Sequence, residues 1–278
     1  MSELGSGIRS TGLWRLGRLV KSAMARRAFD ITCRNIILQR PFHLVVIAGQ
    51  KRSGNHVFIN WFLSQSHGPC AFFNHVRPQE YPTDRHRREF RLNRWSAIPT
   101  VAFSYEDREL SDIFSGELQN FIARHESQIQ SRKLVLVVRD PRNLIASRFR
   151  KWPEEHGSPE RADQVMAQWI SYAEKALEGG IPNATFDMIP VYYNCFVTDQ
   201  AYRRQLAQKL AIRATSKGLD QVTNYGHGSS FSGTGELDLK NIFERWRVYE
   251  EDPAFMRLFA DESISDLAKR LELAESVR

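Results

Sequence analysis

Short apolar runs alternate along the chain with longer segments whose apolar residues recur at helical spacing. Four runs predict strands, at residues 44–48, 100–104, 134–138 and 188–193. The segments that follow predict helices, at about residues 55–64, 108–127, 143–152 and 199–210. Strands separated by helices form parallel βαβ units with right-handed crossovers. We therefore expect an α/β fold with a central parallel β-sheet flanked by helices, and ligand loops at the carboxyl ends of the strands.

The first 40 residues carry most of the net charge. They hold eight Lys or Arg residues against two acidic ones, or +6 of the formal +7, and the rest of the chain carries +1. Apolar residues at helical spacing from Leu13 to Phe29, with Arg15 and Arg18 on the other side, predict a basic amphipathic helix. Two interpretations stay open: the helix packs on the protein's own surface, the commoner use of such a stripe, or it contacts an anionic membrane face. We divide the chain into this N-terminal helical segment, 1–40, and a domain comprising 41–278.

Composition narrows the class of protein. A chain of 278 residues can bury a sizeable core as one α/β domain. No apolar stretch approaches the roughly 20 residues that span a bilayer, and the start lacks the apolar core of a secretory signal. We expect a cytoplasmic protein, with any membrane contact peripheral and made through 1–40. The nearly neutral body argues against a nucleic-acid partner. Cys33, Cys70 and Cys195 lack disulfide or zinc-ligand spacing, and we expect no metal.

Two connections in the predicted fold are long. Residues 77–94 contain six arginines, and residues 216–235 are rich in Gly and Ser. Loops of this length in a compact domain are usually functional or disordered. Each is therefore a candidate cover for a pocket.

The first candidate site follows the strand at 44–48. Gly49 and Gly54 have the spacing of a phosphate-binding loop, but Asn55 and His56 stand where a nucleotide triphosphatase needs Lys and a Mg²⁺-binding Ser or Thr. Backbone N–H groups at a helix N-terminus still suit a phosphate. Arg52 adds a fixed positive charge that can stabilise a bridging oxygen as the bond to it breaks. The loop is predicted to bind an anion without the groups that serve Mg²⁺-assisted phosphoryl transfer.

This loop resembles the 5′-phosphosulfate loop of sulfotransferases that use 3′-phosphoadenosine 5′-phosphosulfate (PAPS). The residues that carry the resemblance are Lys51, Arg52, Ser53, Gly54, Asn55 and His56. Arg52 matches the cation of that family, and Ser53 and Gly54 match directly. Asn55 and His56 replace the two hydroxyl residues that commonly follow, and both still offer side-chain donors. The resemblance implies that these six residues bind the donor's 5′-phosphosulfate.

A second loop follows the strand at 134–138. Arg139 ends the strand, Pro141 favours a first helical turn, and Ser147 comes eight residues after Arg139. The segment 139–147 closely resembles the 3′-phosphate motif of the same family, which implies that Arg139 and Ser147 bind the 3′-phosphate. The resemblance extends over about residues 42–246. It places Tyr193 near the adenine, and Ser229 and Ser230 in a loop that closes over the nucleotide, although the usual basic sequence of that loop is absent.

The acceptor side departs from the family pattern. A His or Glu base often follows the second predicted strand in that family, but here the segment is Tyr105-Glu106-Asp107 and contains no His. We prefer Glu106 as the base, because a partly desolvated carboxylate gains basicity. Asp107 is second, although it is equally suited to cap a helix. His75, in the turn after residues 71–74, is third.

These observations predict a sulfotransferase with a P-loop NTPase-like fold. It would move a sulfuryl group from PAPS to a hydroxyl or amine of an unidentified acceptor, such as a glycan or a lipid-linked glycan, without a metal, and release adenosine 3′,5′-bisphosphate (PAP). One alternative is a P-loop kinase-like phosphotransferase, against which the residues after Gly54 argue. The other is a non-enzymatic membrane- or nucleic-acid-binding protein that acts through residues 1–40.

Overall fold

A computed structural model describes residues 37–84, 88–91, 94, 97–179, 185–219 and 243–277. The predicted N-terminal helix and the residues Ser229 and Ser230 lie outside the described residues. The described strands are β1 (Phe42–Gly49), β2 (Cys70–Phe73), β3 (Arg88–Arg91), β4 (Thr100–Glu106), β5 (Ile129–Val138) and β6 (Asp187–Tyr192). They form one sheet in the order β3-β2-β4-β1-β5-β6. Among these described strands only β3, at one edge, runs antiparallel to its neighbour, and the other four pairs are parallel.

Helices flank this sheet. The described α-helices are α1 (Asn55–Gln65), α2 (Leu110–Ser115), α3 (Glu117–Arg124), α4 (Pro141–Lys151), α5 (Pro153–His156), α6 (Pro159–Glu178), α7 (Tyr193–Thr198), α8 (Gln200–Leu210), α9 (Pro253–Arg257) and α10 (Glu262–Val277). Short 3₁₀ helices lie at Pro82–Asp84 and Arg245–Tyr249. The expected α/β fold with a central, mostly parallel sheet is confirmed. None of the helices described here is long and apolar enough to cross a membrane.

The core explains why the strands are continuous apolar runs. β1 lies inside the sheet and pairs with both β4 and β5 from His43 to Gly49, and its residues from Leu44 to Ala48 are all buried. A parallel strand covered on both faces has no polar face, so its sequence does not alternate. Helix α1 packs Phe58 and Trp61 against Phe196 of α7, with ring centroids 5.6 and 5.3 Å apart. This aromatic contact anchors α1, and with it the loop that precedes α1.

The sequence predictions differ from the structure at several places, since strand β2 and the helices α5, α7, α9 and α10 were also not predicted. The helix predicted at 108–127 is two helices, α2 and α3, which meet at Gly116. A Cβ at Gly116 would lie 2.2 Å from the carbonyl oxygen of Pro78, so the break coincides with a close backbone contact. Strand β3 lies inside the arginine-rich connection 77–94, and helix α6 was not predicted. Helix α6 begins at the Ser158 cap and ends at Gly179, which has a φ of 75°.

Candidate functional site

The strand register brings the candidate loops to one edge of the sheet. Gly49, the last residue of β1, lies opposite Glu106 on β4 and Val137 on β5. Val138 lies opposite Tyr192 at the end of β6. The residues that follow these positions therefore leave the sheet side by side, at its carboxyl edge, where open α/β sheets bind ligands.

The phosphate-sized loop, residues 50–54, has an unusual backbone. Arg52 and Gly54 both have positive φ, 73° and 96°. A Cβ on Gly54 would lie 2.1 Å from two ring carbons of Tyr193, so the tyrosine packs directly on the glycine. The amide of Ser53 and the side chain of Asn55 both donate to the carbonyl oxygen of Gln50, at 3.1 and 3.2 Å. These hydrogen bonds hold the turn that presents Arg52.

Three arginines converge beside this loop. The Nε of Arg52 donates to Ser147 Oγ at 3.1 Å, and a guanidinium N–H of Arg139 donates to the Arg52 carbonyl at 2.9 Å. Burial lowers the pKa of Arg52 to about 10, and the positive charges of Arg139 and Arg245 contribute to that lowering. Arg139 and Arg245 are themselves buried. Buried cations repel one another, and such clusters are typical of sites for an anion.

The arrangement brings together four residues that the sequence assigns to the donor nucleotide. Arg52 and Ser147 are hydrogen-bonded, and the Arg139 guanidinium lies 5.0 Å from the ring centroid of Tyr193. The eight-residue spacing does not by itself show that Arg139 and Ser147 lie close together. In the structure both side chains contact Arg52 of the first loop. Helix α6 contributes as well, because Trp169 Nε1 donates to the Arg139 carbonyl at 2.9 Å.

Glu106 lies between two histidines. Its Oε1 is 3.3 Å from Asn55 Nδ2 and 3.5 Å from His56 Nε2, and its Oε2 is 3.4 Å from His75 Nδ1. Burial raises the pKa of this carboxyl, but the contacts with His75, His56 and Asn55 together outweigh burial and lower the pKa to about 2. This direction is opposite to the gain in basicity that the sequence analysis expects for Glu106. Desolvation alone would raise the pKa of Glu106, but the two imidazoles, which are distant in sequence, lower it.

Asp107 is occupied by structural contacts. Its Oδ1 accepts hydrogen bonds from the Lys51 amide and from Arg148, each at 2.8 Å, and Lys51 Nζ lies 3.3 Å from Oδ2. Arg148 also pairs with Glu155 at 2.8 Å. Asp107 does not cap α2, whose N-cap position is Glu109. The carboxylate instead ties the phosphate-sized loop to the end of β4.

A cleft borders this ion-pair network. It has a volume of about 710 Å³ and lies between Asp107, Glu109 and the exposed face of α6. Its lining includes the side chains of Arg148, Glu155, Gln164 and Gln168. Charged and amide groups of this kind suit a hydrated, hydroxyl-bearing molecule better than a flat apolar one.

Three features of the site are not indicated by any local pattern in the sequence: Arg245, Arg148 and the contact of His56 with Glu106. Arg245 reaches the site because its segment is fixed on α4: Asn143 Nδ2 donates to the Phe243 carbonyl at 2.7 Å, and the Arg142 guanidinium lies 4.9 Å from the Trp246 ring centroid. The sequence signal for Arg245 is weak, a single Arg-Trp pair after a Gly- and Ser-rich connection. Arg148 lies one residue beyond the motif that contains Ser147.

Comparison with known proteins adds no assignment. No family model matches the chain. No curated protein matches it either. Among the residues that the structure describes, no group of three or more His, Cys, Asp or Glu side chains is arranged to hold a metal ion. The functional argument therefore depends on the geometry of the loops and on the arginine cluster.

Proposed function

We propose that this protein is a sulfotransferase that moves a sulfuryl group from PAPS to a hydroxyl or amine of an acceptor and releases PAP. The observation that carries the proposal is the meeting of Arg52, Arg139 and Ser147 in one cluster formed by two strand-to-helix loops. PAPS has two separate anionic groups, a 5′-phosphosulfate and a 3′-phosphate. Two adjoining cationic loops offer one site for each group. A P-loop NTPase-like sulfotransferase fold is part of the same proposal.

The donor would be held chiefly by the two loops. The N–H groups and side chains of 51–56, at the N-terminus of α1, would bind the 5′-phosphosulfate. Arg139 and Ser147 would bind the 3′-phosphate, and Arg245 adds charge to the same cluster. Tyr193 packs on Gly54 and offers an aromatic ring for the adenine.

The chemistry requires an in-line displacement at sulfur. The acceptor oxygen or nitrogen forms a bond to sulfur and loses its proton, the bond between sulfur and the bridging phosphate oxygen breaks, and the electron pair of that bond stays on PAP. Arg52 would stabilise the charge that develops on that oxygen. The cleft beside Asp107 gives a polar acceptor, a glycan or a lipid-linked glycan, a place next to the loop. No step of this transfer needs a metal.

The geometry favours this reaction over kinase chemistry. Asn55 Nδ2 donates to the Gln50 carbonyl, and His56 faces Glu106. Neither residue supplies the Lys ammonium or the hydroxyl that Mg²⁺-dependent phosphoryl transfer uses. The non-enzymatic alternative depends on residues 1–40, of which 1–36 lie outside the described residues.

Ligand binding tests the proposal without knowledge of the acceptor. We expect PAP to raise the midpoint of thermal unfolding more than Mg-ATP does. By calorimetry, Arg139→Ala should weaken PAP binding by about 10- to 100-fold, as expected for the loss of a charged hydrogen-bonding group. Arg257→Ala is the matched control, because Arg257 pairs with Asp163 at an exposed position. Tighter binding of Mg-ATP, or equal PAP affinity for both variants, would contradict the assignment.

A transfer assay tests the reaction itself. The protein is incubated with radiolabelled PAPS and cell extract, and the labelled product is identified. We expect Arg52→Ala to lower the rate of label transfer, because the leaving phosphate loses its cation. Full transfer by this variant would remove Arg52 from the mechanism.

A further inference from the structure

Glu106 places a negative charge beside the loop that is proposed to bind an anion. Its side chain is 10% exposed, and its Oε1 lies 3.3 Å from Asn55 Nδ2 and 3.5 Å from His56 Nε2, at the N-terminus of α1. Burial raises the pKa of Glu106, but the contacts with His75, His56 and Asn55 lower it to about 2. The carboxylate is therefore ionised at neutral pH. It would repel a second anion bound at the start of α1 unless a cation lay close to both.

His56 is placed to supply such a cation. It is the second residue of α1 and follows the phosphate-sized loop, which ends at Gly54, by two residues. Its side chain is 25% exposed and turns Nε2 towards Glu106 Oε1. An imidazole can gain or lose a proton near neutral pH, whereas the hydroxyl residue that is common at this position in the resembling family cannot. The charge of His56 can therefore respond to a charged ligand.

Charges of both signs act on His56. Glu106 favours the protonated imidazole, because an opposite charge in contact stabilises the charged form. Arginines gathered at the same loop oppose protonation: Arg52 in the loop, Arg139 after β5 and Arg245 on the second 3₁₀ helix. Burial, Arg139 and Arg245 lower the pKa of Arg52 to about 10, and Glu106 acts on Arg52 in the opposite direction. The arginine cluster and the carboxylate that contacts His56 therefore share one region.

Two further sets of charged groups lie near this region. One is the ion-pair network behind the loop, which contains two cations and two carboxylates and so has no net charge: Lys51, Arg148, Asp107 and Glu155. The other is His75, whose Nδ1 lies 3.4 Å from the second oxygen of Glu106. The network does not decide the charge of His56, and His75 is a second imidazole that an experiment must separate from it.

We propose that His56 carries a proton when the donor is bound, with Glu106 as its counter-ion, so that binding of the donor's 5′-phosphate takes up as much as one proton from solvent. This inference rests on the proposed use of PAPS and PAP. The bound anion reverses the balance of charge at His56, because it neutralises the arginines that oppose protonation and itself attracts an imidazolium. The imidazolium in turn separates Glu106 from the repulsion of the bound phosphate.

The sign of the effect follows from linkage. If the anion strengthens proton binding at His56, the proton strengthens anion binding by the same factor. PAP should therefore bind most tightly in mild acid, where His56 is protonated before binding, and less tightly as the pH rises. We expect Kd for PAP to increase by about 10-fold or more between about pH 5.5 and about pH 8.5, the range in which histidines titrate.

Calorimetry of PAP binding measures this effect. Titrations in buffers of different ionisation enthalpy give both Kd and the number of protons taken up. The proteins are wild type, His56→Thr, His75→Gln and the control His67→Gln, which alters an exposed histidine beyond the end of α1. We expect His56→Thr to bind PAP without the proton uptake and without the accompanying rise in Kd, and the other two variants to resemble the wild type. Phosphate groups themselves titrate near about pH 6, but they do so alike in all four proteins.

Two more measurements locate the proton. Adenosine 3′-monophosphate lacks the 5′-phosphate, so its binding should not show the proton uptake that depends on His56. Nitrogen NMR of labelled imidazoles, with the His56 resonances assigned from their loss in His56→Thr, should show an imidazolium at neutral pH in the PAP complex of the wild type. The NMR measurement uses the wild-type complex, so it stays decisive where the variant binds PAP too weakly for calorimetry.

The outcomes separate this inference from the proposed function. Equal proton uptake in wild type and His56→Thr, loss of the uptake in His75→Gln alone, or a neutral His56 in the PAP complex would overturn the role of His56. Equal uptake with adenosine 3′-monophosphate would overturn its assignment to the 5′-phosphate. Absence of PAP binding at every pH would contradict the proposed function itself.

Discussion

Gly54→Ala is the substitution that most directly tests the packing of the phosphate-sized loop. The glycine has a φ of 96°, and a methyl group there would lie 2.1 Å from the Cδ2 and Cε2 atoms of Tyr193. Tyr193 is buried, begins α7 and lies under the Arg139 guanidinium. The ring has little freedom to move aside, so either the loop or the tyrosine must shift.

The structure allows the two costs of this change to be separated. Placing an alanine in the left-handed region costs about 1–2 kcal/mol, and forcing a methyl group into a packed site costs about 1–3 kcal/mol. Gly54→Ala should therefore lower the free energy of unfolding by about 2–5 kcal/mol. Gly179→Ala is the matched control, because Gly179 has a φ of 75° but no atom of the described residues lies within 4 Å of the position that its added methyl group would take. It should show the backbone cost alone.

Urea unfolding of the two variants and the wild type measures both terms. The m-value checks that the transitions are comparable. PAP should stabilise Gly179→Ala as it stabilises the wild type, and should stabilise Gly54→Ala less, because displacement of Tyr193 or the loop distorts the proposed nucleotide site. Equal destabilisation of the two variants would show that the Tyr193 ring yields freely, and would refute the packing argument.

Two further substitutions test the charged groups. Arg148→Met leaves Asp107 and Glu155 without their shared cation, and should lower the free energy of unfolding in urea by about 3 kcal/mol. Arg257→Met removes an exposed ion pair and should lower it by less than about 1 kcal/mol. Equal decreases for the two variants would contradict this ranking. The pKa of Glu106 is lowered from 4.5 to about 2, so its contribution is present above about pH 5 and is lost as the pH falls towards 2. Between about pH 5 and about pH 2 the free energy of unfolding should therefore fall less in Glu106→Gln than in the wild type, by an amount on the order of 3 kcal/mol. An equal decrease in both proteins would show that Glu106 does not cause the loss of stability in acid.

The elements that could be predicted are those whose own sequence is typical of one kind of secondary structure. The buried strands at the centre of the sheet are continuous apolar runs, so they could be placed from sequence. Strand β3, Arg88-Glu89-Phe90-Arg91, has too few apolar residues to be distinguished from a loop, because only pairing with β2 makes it a strand. Helix α6 does have local signals, Ser158-Pro159 at its start and Gly179 after its end, which the apolar pattern alone does not use.

The same distinction holds for the candidate site. Each candidate anion-binding loop is a contiguous segment, so the residues 51–56 and the pair Arg139 and Ser147 could be proposed from spacing and resemblance. The approach of His75 to Glu106 depends on the pairing of β2 with β4, and the approach of Arg245 depends on contacts with α4 about 100 residues away in sequence. Such contacts have no local pattern. The pKa of Glu106 depends on its neighbours, so the direction of its shift could not be predicted from the position of Glu106 at the end of a strand.

The two borders of the sheet have a consequence for self-association. An exposed strand edge offers unpaired N–H and C=O groups to other chains, and charged residues or proline at that edge discourage such pairing. At one border, three of the four residues of β3 are charged. At the other, β6 contains Pro190, which has no N–H to donate. The β6 border is also covered by Tyr202 of α8, whose hydroxyl accepts from the Tyr192 amide at 3.0 Å. The charges of β3 are therefore the feature to test, and replacing them with valine should make the protein more prone to aggregate through that edge.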